Sequence, residues 1–170
     1  MLKTILVSDQ SRTLFAQRLL LGLVMFPHGA QKLFGWFGGY GFSGTMAYFT
    51  GTMHFPALLA LLVILAEGLG SLGLIVGLGT RVAAFGIAAN MLGAIVTTHW
   101  SVGFFMNWFG AQHGEGYEYH LLALALALPL IVRGAGAWSL DRAVLALAPG
   151  GAQPALGACV SRSDCSTKSG

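Results

Sequence analysis

Two long stretches of this chain contain no Asp, Glu, Lys or Arg: residues 33–66 and residues 82–114. Each stretch is longer than the roughly 20 apolar residues that cross the hydrocarbon core of a bilayer as a helix. Across the whole chain, 55% of the residues are hydrophobic and 9% are charged, whereas a soluble domain carries about a quarter of its residues as charges. The sequence therefore predicts an integral membrane protein.

The apolar runs between the charges predict four transmembrane helices, and hence an all-α integral membrane four-helix bundle. We place these helices at residues 12–33, 56–78, 81–100 and 117–133. The transmembrane domain then comprises residues 12–147, after a short N-terminal segment, residues 1–11. Residues 148–170 are rich in Pro, Gly, Ala, Ser and Thr, a composition that predicts a disordered C-terminal tail.

The basic residues predict the orientation of this bundle. Lys3, Arg12, Arg81, Arg133 and Arg142 all fall at one end of the predicted helices. The positive-inside rule places that end, with both termini, in the cytoplasm of a bacterial inner membrane. The nine Lys and Arg residues form no basic cluster, so the sequence excludes nucleic-acid binding through phosphate contacts.

Aromatic residues concentrate in the two segments that this orientation places outside, residues 34–55 and residues 100–119. One interpretation is an interfacial aromatic belt. The alternative is an aromatic cap, with a re-entrant segment, that admits a flat lipophilic ligand from the outer leaflet.

Glu67 lies near the middle of the second predicted helix, within a run of glycines. A charge at that depth costs at least about 2–4 kcal/mol, so Glu67 is expected to face the bundle and to have a partner. At a rise of 1.5 Å per residue, Asn90 falls at the same level, and Arg18 lies about 7 Å nearer the cytoplasm. Whether Arg18 pairs with Glu67 stays open. Glu67 is interpreted either as a proton-handling or ligand-binding carboxyl, or as a structural link between helices.

A second group of polar residues is predicted near the outer ends of the helices. His28 and Lys32 share one helix face at i, i+4 spacing. The same arithmetic brings His99, Glu118 and His120 to their level. We expect His28, Lys32 and His120, with His99 and Asn90, to bind a ligand. Glu67 and Glu118 are predicted to exchange protons as the catalytic pair.

Three chemistries suit this predicted vestibule. A proton relay or a quinone-ring site needs His and carboxyl groups beside aromatics. A metal site is disfavoured because no H-x-x-H or E-x-x-H pair occurs within one helix. The third interpretation is purely structural, with the polar groups holding helix ends together. Cys159 and Cys165 fall in the predicted cytoplasmic tail, where free thiols are expected.

Several short motifs in this order resemble the DoxX family of small bacterial inner-membrane proteins. They are His28-Gly29 with Lys32, Glu67-Gly68, Gly79-Thr80-Arg81, Glu115-Gly116 with Glu118, and the run Gly134-Ala135-Gly136-Ala137-Trp138-Ser139-Leu140-Asp141. The resemblance covers residues 12–142 and implies four membrane helices. It also implies a redox role, because some members resemble a subunit of a thiosulfate–quinone oxidoreductase and others are linked to thiol and oxidative-stress complexes.

The leading hypothesis is a redox-associated membrane subunit that binds a quinone. The sequence carries no haem, flavin or metal motif, so electrons are expected to come from a partner protein or a small substrate. Whether the isolated chain is an enzyme stays open, and self-association is a further expectation. The alternatives are a proton-coupled carrier of a small solute and a non-catalytic assembly or anchoring subunit.

Overall fold

The structure, a computed structural model, describes residue 6 and residues 8–147. The regular secondary structure of these residues is helical. No strand occurs within these residues, so the all-α prediction is confirmed. The α-helices are α1 (Arg12–Phe34), α2 (Gly41–Ala47), α3 (Ala57–Val76), α4 (Thr80–Ala94), α5 (Glu118–Arg133) and α6 (Leu140–Leu147). Single π-helical turns extend α2 over Tyr48–Thr52 and α4 over Ile95–His99.

The four long helices lie within a residue or two of their predicted bounds, because local signals set their ends. The side chain of Ser11 caps α1 by accepting a hydrogen bond from Leu14 N at 3.3 Å. Gly35 and Gly77 end α1 and α3 in the left-handed conformation that glycine adopts without steric cost. The sequence did not predict α6, and it suggested α2 only as a re-entrant segment.

Helices α1 and α3 pack antiparallel at very close range. A Cβ atom added at Gly29 would lie 2.6 Å from the main-chain oxygen of Glu67 and 2.6 Å from Cα of Gly68. One at Gly22 would meet Ile75, about two turns further along α3. Glycine therefore sets the distance between these two backbones, which brings the polar side chains near Gly29 within reach of Glu67.

Residues 77–80 and 134–141 meet at the end of the bundle that the sequence predicts to face the cytoplasm, which we call the inner end. Two buried charged side chains close this end. Arg18 is fully buried and donates hydrogen bonds only to main-chain carbonyls, those of Leu74, Ile75, Ala135 and Trp138, at 2.7–3.0 Å. The carboxylate of Asp141 accepts hydrogen bonds from Gly79 N at 2.6 Å and Thr80 N at 3.0 Å. Asp141 thereby caps the N-terminus of α4, where a negative charge is favourable.

The opposite, outer end carries α2 and the loop of residues 100–117. Many aromatic side chains there are exposed, including Tyr40, Trp108 and Phe109, of which 82%, 78% and 96% is accessible. Glu115 and Glu118 hold the loop by accepting hydrogen bonds from Asn107 N at 2.8 Å and Met106 N at 3.3 Å. The outer loop is therefore fixed over the ends of α4 and α5.

Two of the long helices have the length and composition of membrane spans among the described residues. They are Ala57–Val76, with a mean hydropathy of 2.3, and Thr80–His99, with a mean hydropathy of 1.4. Helix α1 is not one of these two; it carries Arg12, Arg18 and Lys32. The predicted disordered tail, with Cys159 and Cys165, lies outside the described residues.

Candidate functional site

A cavity of about 1050 Å³ lies between the long helices and reaches the outer loop. Its walls come from α1, α3, α4 and α5, together with the π-turn after α2. Six of the seven residues that the sequence nominated line it: His28, Lys32, Glu67, Asn90, His99 and His120. The structure therefore brings together side chains that are far apart in the chain.

Glu67 forms a bridge between three helices midway along the cavity. The ammonium of Lys32 on α1 pairs with Oε2 of Glu67 on α3. Nδ2 of Asn90 on α4 donates to Oε1 of Glu67 at 2.5 Å. The Glu67 side chain is 7% exposed, whereas that of Lys32 is 24% exposed. Because an ammonium has three N–H donors, Lys32 retains donors for a ligand in the cavity.

His99 and His120 form a second polar group nearer the outer end. Their ring centroids are 4.2 Å apart. Nδ1 of His99 lies 2.7 Å from the main-chain oxygen of Glu115. Because a carbonyl oxygen only accepts hydrogen bonds, this contact assigns the hydrogen to Nδ1, and neutral His99 then presents Nε2 as an acceptor.

His120 has unused hydrogen-bonding capacity. The residue is 8% exposed, and its Nδ1 atom has no hydrogen-bond partner among the described residues. Buried polar atoms nearly always have a partner, so an orphaned one calls for an explanation. A ligand or a bound water in the cavity would supply it.

Tyr119 connects the histidines to α1, and the sequence analysis missed it as a site residue. Its ring centroid is 6.0 Å from that of His28 and 5.7 Å from that of His120. Its hydroxyl donates to Sδ of Met25 at 3.3 Å. Its position beside His120 on a predicted helix was a usable signal, but Tyr119 was interpreted only as part of the aromatic segments.

Glu118 does not join the other site residues. It is not among the side chains that line the cavity, and its Oε2 atom binds the main chain of the outer loop. Arg18 does not pair with Glu67, because its hydrogen bonds go to carbonyls at the inner end. The predicted proton-exchanging pair of Glu67 and Glu118 is therefore split between the cavity and the loop.

The remaining cavity wall is mainly apolar and partly open to the outside of the bundle. Tyr48, Phe49 and Phe55 contribute rings at the outer end. Leu62 and Phe85, which also line the cavity, are 54% and 63% exposed. The cavity thus reaches the lateral surface formed by α3 and α4.

The described residues contain no group of three or more His, Cys, Asp or Glu side chains able to hold a metal ion. The polar groups of the cavity are instead arranged as separate donors and acceptors.

Comparison with known proteins assigns the chain to a family. The DoxX family model matches residues 13–100, which include α1 to α4. A similar protein is the "Putative oxidoreductase CatD" of Bacillus subtilis (strain 168), 27% identical over 113 residues, which are 66% of this chain and 74% of the relative. No solved structure matches significantly. Because the family model covers more than half of the sequence, this chain belongs to the DoxX family.

Proposed function

We propose that this protein is a redox-associated membrane subunit that binds a quinone, or a similar oxygen-bearing lipophilic ring, in the outer half of the cavity. One observation carries the proposal. Polar side chains, including that of His120 with its buried and unpartnered Nδ1 atom, line an otherwise apolar cavity that opens to the lateral surface. An apolar pocket with a few convergent polar groups is the usual form of a small-molecule site. The name of the Bacillus subtilis relative agrees with a redox role.

Each polar group has a distinct role in this proposal. Lys32 and His120 hydrogen-bond to the ring oxygens, and His28 contributes from the same face of α1 as Lys32. The Nε2 acceptor of His99 suits the hydroxyl of a reduced ring. Asn90 fixes the Glu67 carboxylate in place, and Glu67 exchanges protons through Lys32.

Reduction of a quinone to a quinol takes up two electrons and two protons. The cavity residues supply and accept the protons, with Glu67 and its partner Lys32 as the exchanging groups. The electrons come from a redox partner protein or from a small substrate, because the sequence carries no haem, flavin or metal motif. Glu118 keeps the outer loop in place and takes no part in proton exchange.

The membrane placement in this proposal is a four-helix bundle in the bacterial inner membrane, with both termini in the cytoplasm. Helices α3 and α4 have the properties of membrane spans. The charges of α1 that would oppose insertion lie against other parts of the chain: Arg18 is fully buried and Lys32 pairs with Glu67. Its exposed face carries Leu20, Leu23 and Val24. The proposal also includes self-association in the bilayer.

Quinone binding to the purified protein in nanodiscs tests this function. Quenching of tryptophan fluorescence should follow a saturable curve as a short-chain quinone is added. His120→Phe keeps a ring of similar shape and removes the hydrogen bond, so it should weaken binding about tenfold, corresponding to about 1–1.5 kcal/mol. His113→Phe is the matched control, because His113 is exposed and does not line the cavity.

Saturable quenching that His120→Phe weakens and His113→Phe leaves unchanged would support the site. The absence of saturable quenching in a folded protein would refute it. An equal loss in both variants would also count against it, since the effect would then come from general destabilisation.

A second candidate function is a non-catalytic assembly or anchoring subunit. The observation that favours it is the Glu67 bridge, in which both carboxylate oxygens are already occupied by Lys32 and Asn90. In that case the protein binds no quinone, and Glu67→Ala would only lower the yield of folded protein. The quinone titration above therefore distinguishes the two candidates.

A further inference from the structure

The cavity continues past the proposed ring site toward the inner end of the bundle. We call this part the inner groove, and it is formed by Leu69, Gly70, Gly73, Val82, Ala83 and Gly86. None of these side chains is polar or charged. The cavity therefore has a polar outer half, bounded by Glu67 and Asn90, and an apolar inner half.

The inner groove has the length and access that a chain-like ligand needs. Val82 lies eight residues before Asn90 on α4, which is about 12 Å at 1.5 Å per residue. A Cβ atom added at Gly70 would make ordinary van der Waals contact with Ala83 and Ile87 at 3.7–3.8 Å, so glycine at this position keeps the groove from being narrowed further. Leu69 and Val82 are 58% and 62% exposed, which opens the groove sideways.

We infer that the ligand is a membrane-borne amphiphile that enters sideways between α3 and α4, with its ring among the polar residues and one apolar chain in the inner groove. This inference rests on the proposed function and adds the class of ligand, namely a ring that carries a long chain. The continuity of the groove with the polar half is the first reason. His120, which lines the same cavity and has a buried, unpartnered Nδ1 atom, agrees with a polar head group in the outer half.

A helix from a second copy of the chain fits this cavity less well. Its apolar side chains would cover the inner groove but would leave Lys32 and His120 facing hydrocarbon without new partners. Burying polar groups unpaired costs free energy. An amphiphile satisfies both halves, because its ring oxygens meet the polar residues while its chain meets the groove.

Photocrosslinking in nanodiscs tests this inference directly. The probe is a benzoquinone with a ten-carbon chain that ends in a diazirine. After illumination, mass spectrometry should find the label on residues 69–73 of α3 and residues 82–86 of α4. Unlabelled decylquinone at ten times its dissociation constant should reduce this labelling about tenfold by mass action, whereas a ten-carbon alcohol should not.

Gly93→Leu provides a variant that blocks the site without disturbing the fold. Gly93 lines the cavity, and a Cβ atom added there meets nothing within 4 Å. A leucine should therefore fill the cavity and remove the competed labelling. Val96→Leu is the matched control, because Val96 is 74% exposed on the same helix and does not line the cavity.

Competed labelling of the inner groove that Gly93→Leu removes and Val96→Leu retains would support the inference. Labelling that spreads to exposed residues of α5, such as Leu128 and Val132, or that ignores decylquinone, would overturn it. Equal competition by the alcohol would also overturn it, since any lipid chain would then fill the groove. A benzoquinone without a chain, titrated into the same preparation, separates the two proposals. If it still quenches the fluorescence saturably, the ring site stands even though the inference about the chain has failed. Loss of that quenching rejects both.

Discussion

The Lys32–Glu67 ion pair allows a quantitative test of how strongly these two side chains stabilise the contact between α1 and α3. Glu67→Gln leaves the Lys32 ammonium without its carboxylate, and Lys32→Met leaves the carboxylate with Asn90 as its donor. Removing one member of a buried ion pair costs about 3–5 kcal/mol. The Lys32 side chain is 24% exposed and the Glu67 side chain is 7% exposed. We therefore expect about 2–3 kcal/mol for Glu67→Gln and about 3–4 kcal/mol for Lys32→Met.

The double variant should be more stable than the sum of these losses predicts. Once both charges are gone, the glutamine that replaces Glu67 still accepts a hydrogen bond from Asn90, and no uncompensated charge remains. The free energy of unfolding should then fall by only about 1–2 kcal/mol, which gives a coupling energy of about 3–6 kcal/mol.

The assay is equilibrium unfolding of the four proteins in the same lipid nanodiscs, followed by circular dichroism. A matched control cycle uses Arg133 and Asp9, whose atoms lie 4.0 Å apart with side chains 67% and 46% exposed. Such an exposed pair should couple by less than about 1 kcal/mol. Additive losses at Lys32 and Glu67 would refute the reasoning, because they would mean that the two charges do not stabilise each other.

Four further predictions concern the stability of the helices and their contacts, each measured by thermal unfolding in nanodiscs. Gly29→Ala should cost about 1–3 kcal/mol, because its methyl group would meet the α3 backbone. Gly93→Ala, which meets open space, should be neutral or stabilising. Asp141→Ala should cost about 2–4 kcal/mol, because the amides of Gly79 and Thr80 lose a charged acceptor; no loss would contradict the cap. Arg18→Lys should cost about 2–4 kcal/mol, because a lysine cannot reach four carbonyls at once; unchanged stability would contradict that role.

The position of Asn90 opposite Glu67 could be predicted from the sequence, because depth along a membrane helix follows from residue number alone. The same arithmetic brought His28, His99 and His120 to one level, and all three line the cavity. Regular helices make such estimates dependable, since each residue adds a fixed rise.

Glu118 and Arg18 show where this reasoning stops. Depth does not give the direction in which a side chain points, and Glu118 turns to the outer loop while its neighbours Tyr119 and His120 line the cavity. The partners of Arg18 are main-chain carbonyls at a helix end and in a connecting segment. Any residue type supplies a carbonyl, so no sequence pattern predicts those partners.

The inner end of the bundle ties the helices together at a place separate from the polar residues of the cavity. Arg18 and Asp141 tie the start of α1, the turn before α4 and the segment after α5 into one hydrogen-bonded unit that no cavity residue joins through its side chain. The residues from Gly134 to Asp141, which carry part of the family resemblance, belong to this unit. They hold the scaffold together through this network, in which the polar side chains around the cavity take no part. A substitution that loosens the inner end should therefore lower the stability of the protein and leave the side chains that line the cavity unchanged.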